Sequence, residues 1–163
     1  MSDLLIERQY PPPNDEEVTG EDRFCTERAV YAAFRHAYET NPESLPRCYG
    51  WRQNIPPDSM LGNLVAGYAI LVTEFVDGAS LAGMPISKEL KYAALRAMID
   101  VLAAGVVHLD IKPEHFVIRP VPGTHVVVID FDCAMYGPAA ERWLGISIQQ
   151  TWNMMSNVEQ YDC

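Results

Sequence analysis

The stretch from Val107 to Ile118, VHLDIKPEHFVI, followed by Val126-Val127-Val128-Ile129-Asp130-Phe131-Asp132, constrains this chain more than any other. Two β-rich runs, 116–118 and 125–129, flank Pro120-Val121-Pro122-Gly123-Thr124 and read as a hairpin across that turn. A helical stretch ending at Gly105 leads into it, and Asp130 lies twenty positions beyond Asp110. An isolated H-x-D triplet fixes only two residues. Lys112-Pro113, two β runs and Asp130-Phe131, all in this order, make a far more specific signature.

Elsewhere the chain alternates helix and strand signals. Residues 4–10 suit a short strand that Pro11-Pro12-Pro13 stops, since proline cannot donate to a ladder, and residues 11–22 read as an acidic solvated loop. Phe24, Tyr31, Phe34 and Tyr38 recur at helix spacing and predict a helix over about 21–40. Glu27 falls on the same apolar face, where a carboxylate is costly unless paired. A turn at 42–46, a strand beginning over 47–51, and a β-rich run over 64–75 after a hairpin near Asn63 come next. Ser87 is placed to cap a helix over 88–103, with Leu90, Ala94, Met98, Val101 and Leu102 inward and Gly105 closing it. A final helix over about 139–157 is expected to turn Trp143, Ile146, Trp152 and Met155 to the core.

Composition narrows the partners. The 163 residues suit one domain, and a formal charge of −10 with lysine only at 88, 91 and 112 argues against nucleic acid or an anionic membrane. The four cysteines form no C-x-x-C pair and no zinc spacing, and the start Met1-Ser2-Asp3 has no basic-then-apolar leader. An intracellular, cytoplasmic setting is the expectation. Cys133 reads more simply as a small packed residue than as a reactive thiol. The longest apolar run, 61–72, is far short of the ~20 residues that span a bilayer.

The motifs at 107–118 and 126–132 resemble the catalytic centre of the protein-kinase superfamily, in which an H-x-D-x-K-P-x-N loop precedes a hairpin and an Asp-Phe-Gly turn. The resemblance covers residues 4–134. It implies an α+β, protein-kinase-like fold: a reduced N-lobe (1–75) of a short antiparallel sheet and one helix, a hinge and turn (76–82), and a truncated, mainly helical C-lobe (83–163). It implies ATP and magnesium as cofactors, Asp110 as the base, Lys112 on the transferred phosphate, Asp130 on the metal, and a largely architectural His108. Glu27 matches the helix glutamate that pairs with a strand lysine. Here Arg8 stands at that lysine's place, and its planar fork is not equivalent to an ammonium. Residues 71–81 resemble the hinge, with the backbone of Glu74, Phe75 and Val76 offered to adenine.

The sequence also departs from that pattern. No glycine-rich loop precedes the first helix, since the first glycine is Gly20. The second metal position is His115 rather than asparagine, and imidazole suits zinc, copper or nickel better than magnesium, with manganese tolerated more readily. Asp132 replaces the glycine of the metal turn, a feature similar to aminoglycoside and choline kinases, whereas Lys112-Pro113 points to protein kinases. No Ala-Pro-Glu segment follows, and apolar residues left uncovered would favour a partner or self-association. Three functions stay open: a weak phosphotransferase acting on a protein or small molecule, a pseudokinase that binds without turnover, and a truncated product.

Overall fold

A computed structural model describes residues 20–37, 43–53, 69–137 and 142–157. The described chain is α+β, with three α-helices and small antiparallel sheets. In order they are α1 (Gly20–Ala37), β1 (Cys48–Arg52), β2 (Ile70–Thr73), β3 (Ala79–Ser80), α2 (Lys88–Ala103), β4 (Val106–Val107), a 3-10 turn (Pro113–His115), β5 (Phe116–Ile118), β6 (Val126–Val128), β7 (Met135–Tyr136) and α3 (Leu144–Asn157). The expected strand at 4–10, with Arg8, and the hairpin near Asn63 lie outside the described residues.

Helix α2 forms where the sequence places it, because Ser87 accepts a hydrogen bond from the Leu90 N–H and satisfies one of the first-turn donors. Its C-terminus is closed by Ala104 and by Gly105 at φ +75°, a left-handed conformation that glycine adopts without a Cβ penalty. The face carrying Ala94, Ala97, Met98 and Val101 is fully buried. Against it pack Val30, Tyr31 and Phe34 of α1, together with Phe116, Val126 and Val128 of the hairpin. The core is thus a seam between two helices and a small sheet.

That sheet has the order β3-β5-β6, all antiparallel, with Phe116 opposite Val128 and Ile118 opposite both Val126 and Ala79. Gly78 enters it where a Cβ would lie 2.0 Å from the Ile118 carbonyl oxygen, so no larger residue fits without moving the strand. Two further two-stranded sheets, β1-β2 and β4-β7, complete the β structure among the described residues.

Helix α3 corrects the expected core face. Met155 is buried, but Trp143, Ile146 and Trp152 are 40%, 45% and 44% exposed, and Ser147 and Thr151 are buried instead. Its principal neighbour among the described elements is α2. Small side chains at 147 and 151 suit a close approach there, and the buried Thr151 hydroxyl donates to the Ser147 carbonyl at 2.9 Å, which removes its desolvation cost. Trp152 is used differently, with its ring 4.6 Å from the ammonium of the buried Lys91. Among the described residues no helix is long and apolar enough to cross a membrane.

Candidate active site

Two ladders bring the motif residues together. The β5-β6 pair ties the end of the Asp110 loop to the start of the Asp130 turn, extended by an Ile129 N–H bond to the His115 carbonyl at 2.9 Å. The β4-β7 pair ties the other ends, with Val107 opposite Met135. Residues 108–115 and 129–134 are therefore clamped side by side at both ends. Among the described residues only two non-glycines have positive φ, Leu109 at 60° and Asp130 at 65°. Each left-handed residue costs of order 1–3 kcal/mol, and such strain concentrates at functional sites.

Beneath the loop His108 is fully buried. Its Nε2 donates to the Ile129 carbonyl at 2.9 Å and its Nδ1 accepts from the Asp110 N–H at 3.3 Å, so the neutral ring pins the two segments in one tautomer. Burial pushes its pKa down, which keeps it neutral. Phe131 is also fully buried, with its ring 4.9 Å from that of Phe34 and 5.0 Å from that of His108. The residue after Asp130 thus anchors the turn in the core.

Above them the reactive side chains meet. The Lys112 ammonium lies 2.9 Å from both carboxylate oxygens of Asp110, a contact that raises the lysine pKa. His115 Nδ1 donates to the Asp110 carbonyl at 2.8 Å, and its Nε2 lies 3.3 Å from Asp130 Oδ2. His115 therefore bridges the backbone of one aspartate and the side chain of the other.

Helix α1 approaches from the other side. Burial raises the Glu27 pKa, and the neighbouring charges of Asp130 and Asp132 raise it further. One turn earlier, Arg23 Nη1 donates to Asp132 Oδ2 at 2.7 Å. Against the cost of burial, hydrogen bonds from Cys133 and Arg23 hold the Asp132 carboxyl below its usual range. Cys133, expected as a packed residue, is exposed, and partial burial of its thiol together with Asp132 pushes its pKa to about 11, so it carries almost no thiolate at neutral pH.

At the expected hinge, Glu74 spends its N–H on the Arg47 carbonyl at 2.7 Å, and its carboxylate takes a two-pronged bond from Arg119 and a third from the Arg47 N–H at 3.0 Å. Phe75 is 87% exposed, and Val76 is partly buried. A scan against known protein families finds no match for the chain, and a search of curated proteins finds no relative.

The geometry groups Asp110, Lys112, His115 and Asp130, with Glu27 beside them. The expected Arg8 partner of Glu27 lies outside the described residues. Sequence reasoning missed Arg23 as a partner of this turn, although its place one helical turn before Glu27 put it on the same face. Among the described residues no group of three or more His, Cys, Asp and Glu side chains could hold a metal alone. Asp130 and His115 offer one carboxylate and one imidazole donor, so an ion held there would need further ligands, and the imidazole departs from magnesium's all-oxygen preference.

Proposed function

We propose that this chain is a protein-kinase-like phosphotransferase of slow turnover, moving a phosphoryl group from ATP to a hydroxyl. The observation that supports this most is the convergence of Asp110, Lys112, His115 and Asp130 around the two strained residues, Leu109 and Asp130. Strain held in place by a buried histidine and two ladders implies a site whose geometry matters more than its stability.

In this reading the Asp110 carboxylate accepts the proton of the acceptor hydroxyl as that oxygen bonds to the γ-phosphorus and the bond to the β-phosphate oxygen breaks, releasing ADP. Lys112 transfers its contact from Asp110 to the incoming phosphate, which frees a carboxylate oxygen to act as base. A bound divalent ion, held by Asp130 and His115, would supply charge neutralisation at the phosphates. Asp132 favours a small-molecule acceptor and Lys112-Pro113 a protein; both classes belong in the assay.

A second reading, a nucleotide-binding module without turnover, has its own support. Glu27 faces two carboxylates, and no cation pairs with it among the described residues. Mg-ATP thermal shift and phosphate transfer, measured on the unmodified chain and on Asp110→Ala, separate the two. Transfer that disappears in Asp110→Ala while the melting point holds supports the enzyme, and transfer that survives refutes it. Binding without transfer in either protein selects the module.

A further inference from the structure

Helix α3, LGISIQQTWNMMSN, contains no charged side chain, although the chain as a whole carries a formal charge of −10. Ser147, Thr151 and Met155 form its buried line, and α3 packs on α2. Beside that line Ile148 and Trp152, four residues apart and so one above the other on the helix, stay exposed. An uncharged helix with apolar residues left in solvent is an incomplete surface helix, since such helices ordinarily turn charged and polar groups outward.

The exposed line continues onto α2. The Trp152 ring lies against the Lys91 ammonium, and Lys91, Leu95 and Ile99 follow one another at four-residue spacing along α2. Leu95 is half-buried, while Ile99 and Tyr92, seven residues apart on the stripe beside it, are 50% and 56% exposed. Charge is nearly balanced here too: α2 carries three cations, Lys88, Lys91 and Arg96, against two carboxylates, Glu89 and Asp100. The two helices thus present a joined apolar strip without the negative charge that dominates the rest of the chain.

We propose that this strip is the contact between two copies of the chain, paired about a two-fold axis. A two-fold contact sets a face against itself, so any net charge on that face is doubled across it. Over most of an acidic chain the doubling opposes association. Over α2 and α3 it does not, because the centre is uncharged and the rim cations Lys88 and Arg96 face an acidic copy opposite. Trp152, held on Lys91, supplies a rigid aromatic anchor of the kind that dominates interface energies. The flanks of two helices about 21 and 24 Å long make a smaller contact than the ~800 Å² per partner of stable complexes, so the dimer belongs in the micromolar range. The proposal does not depend on phosphotransfer.

The test is sedimentation velocity of the full chain from ~1 to ~200 μM, at ~0.01 and ~0.3 M sodium chloride. A reversible monomer–dimer equilibrium that tightens severalfold with salt supports the proposal, because screening removes the repulsion between two acidic copies and leaves the apolar contact in place. Ile148→Glu and Ile99→Glu should each weaken the dimer at least tenfold while thermal melting shows a folded chain. Ile146→Glu, similarly exposed but only two residues from Ile148 and so on another side of α3, should leave the dimer unchanged. A monomer throughout the range would overturn the proposal, whether another segment of the chain or a different protein covers the strip. So would a dimer that loosens with salt, one lost in Ile146→Glu, or one that survives in folded Ile148→Glu and Ile99→Glu.

Discussion

Leu109 is the residue at which structure and sequence pull hardest against each other. Its side chain is 43% exposed, so little burial offsets a left-handed backbone that costs a leucine roughly 1–2 kcal/mol. Leu109→Val adds a β-branch to that conformation and should lower stability by about 1–2 kcal/mol in chemical denaturation, whereas Leu109→Gly should be neutral or mildly stabilising. Equal losses for both would show that packing rather than φ governs the position. In the proposed site His115 would set the metal preference. If phosphate oxygens complete the ion's shell, thermal shifts with ATP should be larger with manganese than with magnesium, and His115→Asn should reverse that order. No change in the order would remove His115 from the proposed metal site. The juxtaposition of Asp110, Lys112 and Asp130 was legible because residue type, order and spacing all pointed the same way. The backbone of Leu109 was not, since no leucine announces a positive φ, and no local pattern connects Arg23 with a residue more than a hundred positions away.

Among the elements, helices α1 and α2 and the hairpin stand where the sequence put them, whereas the inward face of α3 does not. Ser87 and Gly105 bound α2, and the Pro120 to Thr124 turn set the hairpin. Helix α3 carries large apolar residues on several sides, so its pattern could not say which side meets α2, and the small Ser147 and Thr151 decided it. The Glu74–Arg119 pair, also missed, links the end of β2 to the end of β5 between groups only 17% and 18% exposed. Glu74→Gln should cost roughly 2–3 kcal/mol at neutral pH, less than the ~3–5 kcal/mol of a fully buried pair. The Arg119 hydrogen bond lowers the Glu74 pKa in the folded state. Its stabilisation is therefore complete above the unfolded value of 4.5 and is lost as pH falls through the lowered one. Denaturation curves of the two proteins should converge in that acid window, and a gap that persists below it would contradict the assignment.

For the whole molecule, a charge of −10 sets the response to salt. Self-repulsion among carboxylates is screened within about 10 Å at 0.1 M ionic strength, so the melting point should rise between ~0.01 and ~0.15 M sodium chloride. A fall would mean that the ion pairs outweigh the repulsion. A different consequence follows from the double clamp on the candidate site. Because β5-β6 and β4-β7 hold its two loops at both ends, and Phe131 and His108 root them in the core, these loops have no separate way to open. The amides of Asp110 and Ile129 should exchange with solvent only when the domain unfolds, in one cooperative unit with α2. In a chain built this way the grouping of Asp110, Lys112, His115 and Asp130 should not be lost to local fraying: heat or denaturant should extinguish it and tertiary structure along a single curve.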